Sequence, residues 1–132
     1  MAEEIQITLC GNVTADPELR TAGDVSVANF TVACTPRVFD RERNAWGPGE
    51  TTFMRCTAWR GQAERAAECI RKGDRVIVQG ALSQDVYENA DGEKRTVYEV
   101  SVNEVGLSLR FNPVEVVEKV EKPAKPASRS RR

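Results

Sequence analysis

The alternation of apolar and polar side chains is clearest at residues 53–59, which read Phe-Met-Arg-Cys-Thr-Ala-Trp. Side chains of a β-strand point to its two faces in turn, so Met54, Cys56 and Ala58 would share one face. These small or soft apolar groups suit a core. The opposite face would carry two aromatic rings, a cation and a hydroxyl, on Phe53, Arg55, Thr57 and Trp59. Rings interleaved with arginine suit the bases and phosphates of single-stranded nucleic acid. A strand buried on both faces, with its arginine at an edge, is the alternative.

Three other segments have the patterns of strands. Alternation over residues 5–10 runs into Gly11, and residues 74–82 alternate in the same way. Residues 83–105 have the pattern of a long hairpin, because the strong turn signal Asp-Gly occurs at 91–92. These segments predict a fold dominated by β-structure.

Residues 25–35 contain apolar side chains at both odd and even positions, so neither face of a regular strand would be purely apolar. Val27 falls on one face of the predicted strand, whereas Phe30 and Val32 fall on the other. A β-bulge near residues 28–29 would reconcile the two sets. The resulting bend would suit a small barrel.

One segment, Gln62–Lys72, has helical spacing. Its apolar residues recur at i, i+3, i+4 and i+7 and form one narrow face, and Gly73 is placed to end the helix. The predicted order is therefore three strands, a helix and two strands. That is the order of the OB-fold, an all-β, five-stranded Greek-key barrel with a short helix between strands 3 and 4. The hairpin would project from this barrel.

Residues 36–50 contain two prolines and two glycines and predict a long loop. The loop holds Phe39 and Trp46 together with Arg37, Arg41 and Arg43. Because binding residues often lie on loops of a rigid scaffold, we predict that this one is functional. An aromatic that folds back as a lid on the barrel is the alternative.

Composition argues against several classes of function. The chain has 132 residues, no histidine and four widely spaced cysteines. The commonest general base is therefore missing, and the cysteines lack the spacing of a zinc site. We predict that the protein is not an enzyme, needs no cofactor or metal and keeps free thiols. With no span-length apolar run and no signal peptide, we expect a cytoplasmic protein without a membrane partner.

The charge distribution divides the chain into two parts. Net charge is −1, yet residues 113–132 hold six Lys/Arg and three Glu. A surface that binds anions on residues 1–112 must therefore be a local basic groove. We predict a domain over residues 1–112 and a tail over 113–132. Residues 113–120 either add one strand or form a linker, and residues 123–132 have a disordered composition.

Six short segments also match one known family, in order and with matching spacing. They are Gly-Asn-Val at 11–13, Asp-Pro-Glu-Leu-Arg at 16–20, Val-Ala-Asn-Phe-Thr-Val-Ala at 27–33, Arg-Lys-Gly at 71–73, Val-Ile-Val-Gln-Gly at 76–80 and Asp-Gly at 91–92. Together they resemble the bacterial single-stranded DNA-binding protein over residues 4–110. Residues 93–100 and 108–110 resemble its actinobacterial branch.

The resemblance implies an OB-fold that assembles as a homotetramer and binds single-stranded DNA at the nucleoid, in replication, recombination or repair. The family's four base-stacking positions fall here on Phe39, Phe53, Trp59 and Tyr87. Its phosphate-contacting cations fall on Arg20, Arg37, Arg55, Arg71 and Lys72. The family also places its first strand at a two-fold subunit contact. We therefore expect Cys10 to face its symmetry mate, either as a packed thiol or in a disulfide between subunits.

The sequence departs from the family in three places. Three of the four stacking positions hold Phe or Tyr, where relatives have more tryptophan. Asp85 precedes Tyr87 in a segment that is often basic in relatives. The sequence ends in Ser-Arg-Ser-Arg-Arg, where the family commonly has an acidic tip that docks replication and repair proteins. We expect a short paralogue without that docking role, a truncation being the alternative.

Two other readings of the OB-fold remain open. A stacking platform does not distinguish DNA from RNA by itself. The exposed aromatics would also suit an assembly module that docks another protein. Binding to single-stranded DNA, single-stranded RNA and duplex DNA separates these hypotheses.

Overall fold

The computed structural model describes residues 3–117. Within this range it contains eight strands and one helix, which agrees with the predicted all-β class. The elements are β1 Ile5–Val13, β2 Glu18–Ala22, β3 Val25–Cys34, β4 Arg37–Asp40, β5 Ala45–Pro48, β6 Thr52–Trp59, α1 Arg60–Cys69, β7 Arg75–Glu88 and β8 Lys94–Leu107.

Five of these strands close into the predicted OB-fold barrel. The sheet runs β1-β7-β8-β6-β3, and β1 also pairs with β3, which joins its two ends. β6 and β8 are parallel, and α1 lies in the chain between β6 and β7, as predicted. Gly11 allows β1 to cross β3 closely, because a Cβ there would collide with the carbonyl of Ala33. β2 pairs with β3 alone and is not one of the five strands that close the barrel.

The barrel interior is lined mainly by valines and one phenylalanine. Phe30 and Val32 on β3 are buried with Val76 and Val78 on β7 and Val100 on β8. Cys56 and Ala58 are buried as well, so β6 turns its apolar face inward, as its alternation predicted. The helix adds its own apolar face to this cluster, with Ala63 and Ala66 followed by Ile70. This packing fixes the orientation of β6, whose other face is exposed.

The predicted bulge at residues 28–29 is wrong. Residues 27–34 of β3 pair with β6 without a shift of register. Val27 is buried for a different reason: it lies on the outer face between Arg20 of β2 and Trp59 of β6, its two cross-strand neighbours. The register shift of the barrel occurs instead between Gln79 and Gly80 of β7, opposite β8.

The helix begins and ends earlier than predicted. It runs from Arg60 to Cys69, and Ile70 is already extended. The guanidinium of Arg71 donates to the carbonyls of Ala67 and Ile70 at 2.8 and 2.9 Å, so it satisfies acceptors that a longer helix would have used. Gly73, with φ +91°, lies in the turn into β7 rather than at the helix end.

Three strands were not predicted. β2 occupies residues 18–22, and β4 and β5 form a hairpin within the predicted loop 36–50. β7 is one continuous strand that combines the predicted strand at 74–82 with the first arm of the hairpin predicted at 83–105. Gly92 has the positive φ that the Asp-Gly turn of this hairpin requires.

At the C-terminal side, residues 113–117 are not in a strand, while residues 118–132, with most of the predicted tail, lie outside the described residues. Within residues 3–117, no helix is both long enough and apolar enough to cross a membrane.

Candidate nucleic-acid interface

The outer face of β6 presents the aromatic and cationic side chains that its alternation predicted. Phe53 and Trp59 are 63% and 43% exposed, respectively, and Arg55 lies between them. The buried inner face of the same strand holds them in fixed positions. The alternative of a strand buried on both faces is therefore wrong.

Neighbouring strands extend this face across the sheet in rows. Arg20, Val27 and Trp59 are cross-strand partners on β2, β3 and β6. Because Val27 is buried between them, the cation and the indole lie on either side of a shared apolar position. A phosphate at Arg20 and a base on Trp59 could thus be bound side by side.

The orientation of Trp59 is set by a hydrogen bond. Its indole Nε1 donates to the hydroxyl of Ser101 on β8 at 3.3 Å. The next row is polar, since the amide of Asn29 donates to the hydroxyl of Thr57 at 2.9 Å. Sequence reasoning did not single out Ser101, because the β6–β8 pairing that brings it to Trp59 joins residues far apart in the chain.

Two adjoining cavities lie along this face. One, of about 440 Å³, is lined by Arg20, Val27, Arg55 and Trp59 among others. The other, of about 230 Å³, extends from Arg55 toward the β1–β2 connection. They share five residues, so together they form one groove over β6; the shared residues are Glu18, Asn29, Arg55, Thr57 and Glu99.

The groove also contains carboxylates. Arg55 Nη2 lies 3.9 Å from Glu99 Oε2, and the two residues are direct partners in the parallel β6–β8 pairing. Glu18 lines both cavities. The groove is therefore mixed in charge, whereas the sequence predicted a local basic groove.

Tyr87 lies on the projecting hairpin and is half exposed. It pairs with Arg95, and alternation along β8 puts Arg95 on the same face as Val97 and Glu99. Tyr87 therefore lies on the same face as Glu99, which pairs with Arg55. Asp85 lies on this face too, two residues before Tyr87, so the repelling carboxylate noted in the sequence belongs to the same surface.

The β4–β5 hairpin brings together two aromatic residues that lie seven positions apart. Phe39 and Trp46 are cross-strand partners with ring centroids 5.5 Å apart and planes at 67°. Trp46 is the more exposed of the pair, at 61%. Both line a cavity of about 490 Å³ together with Arg41 and Arg43. The sequence predicted Phe39 as a binding residue and noted Trp46 only as a loop aromatic.

The remaining predicted cations lie elsewhere. Arg37 begins β4 and is exposed. One nitrogen of the Arg71 guanidinium, Nη1, donates to the carbonyls of Ala67 and Ile70 at the end of α1. Lys72 follows Arg71 in the turn, where its backbone N–H donates to Asp16 at 2.8 Å. Lys72 and Arg71 are thus next to the β1–β2 connection rather than on the outer face of β6.

The four thiols are free and differ in exposure. Burial, and secondarily the neighbouring Cys34, raises the pKa of Cys56 to about 12. The pKa of Cys34 is also raised, first by burial and then by Cys10. Both thiols are therefore protonated at neutral pH, and Cys10 and Cys69 are the exposed ones. Among residues 3–117, no group of three His, Cys, Asp or Glu is arranged to hold a metal.

Comparison with known proteins gives a consistent result. A family model described as the single-strand binding protein family matches residues 5–108. The single-stranded DNA-binding protein of Mycolicibacterium smegmatis is 54% identical over 117 residues, which cover 88% of this chain and 71% of that protein. Single-stranded DNA-binding protein 2 of Streptomyces coelicolor is 52% identical over 119 residues, covering 89% of this chain and 60% of that protein.

A solved structure has the same architecture. The crystal structure of the small single-stranded DNA-binding protein from Streptomyces coelicolor superposes with a TM-score of 0.73 at 32% sequence identity. The match covers 82% of this chain and 97% of that one.

Proposed function

Because this chain belongs to the single-strand binding protein family, we propose that the groove over β6 binds single-stranded DNA by base stacking and phosphate neutralisation. The function is non-catalytic, largely sequence-independent binding and protection of single strands during replication, recombination or repair. One observation carries the proposal: Phe53, Arg55 and Trp59 are exposed on one face of a strand whose other face is core.

The proposed site comprises more than this strand. Arg20 and Tyr87 lie on the same outer surface by register, and Phe39 and Arg37 approach DNA from the β4–β5 hairpin, to which we add Trp46. Every base has a π-face, so stacking on these rings tolerates any sequence. We retain Lys72 and Arg71 as phosphate contacts at the rim.

Titration of the intrinsic tryptophan fluorescence tests the function. We expect poly-dT to quench the emission of Trp59 and Trp46 strongly, and duplex DNA to quench it little, because paired bases cannot stack on the rings. Equal quenching by poly-U would favour the RNA-binding reading. No response to any nucleic acid would favour a module that docks protein and would overturn the proposal.

The domain organisation and assembly are also proposals. We propose that residues 1–112 form the binding domain, that 113–132 form a tail and that the protein works at the nucleoid in the cytoplasm. We further propose a homotetramer in which the part of the outer face of β1 around Cys10 contacts another copy. Ile77 of β7 supports this, since it is an apolar side chain 44% exposed beside Cys10, its partner in the β1–β7 pairing.

Oxidation of the assembled protein is expected to reveal this contact through Cys10. Two copies related by a two-fold axis bring the same residue together, and a disulfide forms where the Cα atoms approach within about 4.4–6.8 Å. Non-reducing gel electrophoresis of an oxidised sample should then show a dimer band. Cys10→Ser should abolish the band and Cys69→Ser, the other exposed thiol, should retain it. A band that depends on Cys69 instead would exclude Cys10 from the contact.

A further inference from the structure

A further aromatic residue flanked by cations lies beyond β8, outside the groove over β6. Phe111 follows the last strand and is 67% exposed. The guanidinium carbons of Arg75 and Arg110 lie 5.5 and 5.4 Å from the centre of its ring. An aromatic ring beside two guanidinium groups combines the two chemistries that bind a nucleotide, which are stacking on a base and contact with a phosphate.

This cluster is anchored to the barrel. The backbone N–H of Ser108 donates to the carbonyl of Arg75 at 2.9 Å, which ties the turn to the start of β7. The hydroxyl of Ser108 in turn accepts from the N–H of Arg110 at 3.1 Å. The turn is therefore held at both Arg75 and Arg110, and Phe111 follows directly.

A continuous row connects the cluster to the groove over β6. Phe53 pairs with Ala33, Ala33 with Asn12 and Asn12 with Arg75, across β6, β3, β1 and β7. Asn12 is exposed, and its side-chain oxygen accepts from Arg75 Nη1 at 3.4 Å. Its side-chain amide donates to the carbonyl of Gly73, next to Lys72. Single-stranded DNA that extends from Phe53 along this row would pass Lys72 and then Arg75.

We propose that Phe111, Arg75 and Arg110 form a further nucleotide-binding subsite, in which the ring stacks on a base and the guanidinium groups contact phosphates. The proposal rests on the proposed function and extends the path of the DNA around the barrel from Phe53. Charge favours DNA over a peptide as the occupant. The carboxylates of Asp74 and Asp16 accept bonds from backbone N–H groups of Arg71 and Lys72, and within residues 3–117 neither Arg75 nor Arg110 forms a salt bridge with a carboxylate.

The test compares substitutions on one turn. Phe111→Ala should weaken the binding of a dT oligonucleotide about thirty nucleotides long by about 5- to 150-fold, the range of one lost stack. Leu109→Ala is the matched control, because Leu109 is 70% exposed on the same turn and lies outside the pairs of cation and ring described above. Phe111→Tyr should preserve binding and Phe111→Leu should not, because only the former keeps a ring.

The salt dependence supplies a second readout. Arg110→Met should make the slope of log K against log salt shallower by about 0.7, the contribution of one phosphate contact on a single strand. Unchanged affinity in Phe111→Ala, with normal binding by the wild type, would overturn the subsite and leave the main groove intact. Absence of binding by the wild type would instead overturn the proposed function. An altered oligomer in Phe111→Ala, measured by light scattering, would assign the ring to a contact between copies and also overturn the subsite.

Discussion

Replacement of Trp59 by alanine is expected to weaken the binding of oligo-dT by about 1–3 kcal/mol, the contribution of one stacked base. The structure explains why the effect should fall on binding rather than on folding. The indole is exposed on the outer face of β6, and its Nε1 donates to the hydroxyl of Ser101, which is exposed as well. Removal of the ring would uncover Val27 on the outer face, but it would not reach the inner face, where Cys56 and Ala58 are buried.

Affinity and unfolding should be measured on the same samples of this variant. Tyr98→Ala is the control, because Tyr98 is a half-exposed aromatic residue on the hairpin face opposite to Tyr87. We expect Tyr98→Ala to bind oligo-dT as the wild type does. A Trp59→Ala protein that unfolds readily, but whose folded fraction binds with normal affinity, would identify Trp59 as a structural residue.

Raising the salt concentration from 50 to 200 mM is expected to weaken binding by at least about 50-fold, although the protein carries a net charge of −1. The four phosphate contacts at Arg20, Arg55, Arg71 and Lys72 alone would give a slope of log K against log salt of about −2.8, since each contributes about −0.7 on a single strand. Contacts at Arg37 and at the Phe111 subsite would make the slope steeper. The effect depends on local cations, and the acidic remainder of the surface contributes no phosphate contacts.

Single substitutions identify the cations responsible. Arg20→Met should make the slope shallower by about one contact, because Arg20 lies beside Trp59 across Val27. Arg65→Met, on the exposed part of α1, should leave it unchanged. A wild-type affinity that is flat over this range of salt would show that phosphates are not bound by the groove.

The parts of the fold that sequence reasoning predicted are those whose burial follows from alternation. On β6 the inner and outer sets separate cleanly, so both the core residues and the exposed Phe53 and Trp59 could be predicted. β2 was missed because all five of its residues are exposed, so its apolar and polar residues do not alternate as in a half-buried strand. Val27 misled the prediction because neighbouring strands bury it on the outer face.

The candidate site was predictable only where a residue's own strand determines its position. The pairing of Phe39 with Trp46 depends on a four-residue strand on each side of a turn, where Asn44 adopts a positive φ that is uncommon outside glycine. The helix-capping bonds of Arg71 depend on its side-chain conformation, which the motif Arg-Lys-Gly does not specify. Phe111 lies after the last strand, where periodicity gives no information.

The pairing of Arg55 with Glu99 has a consequence for how DNA is exchanged. In the free protein the guanidinium already has an anionic neighbour, so an arriving phosphate replaces a carboxylate instead of meeting a bare cation. Arg55 then contributes the difference between two ion pairs, which is smaller than either. When the phosphate departs, Glu99 is in place to pair with the arginine again, so exchange of a phosphate at Arg55 would be a substitution between two competing anions. Such an exchange would make Arg55 favour release of a bound single strand more than an arginine without a neighbouring carboxylate would.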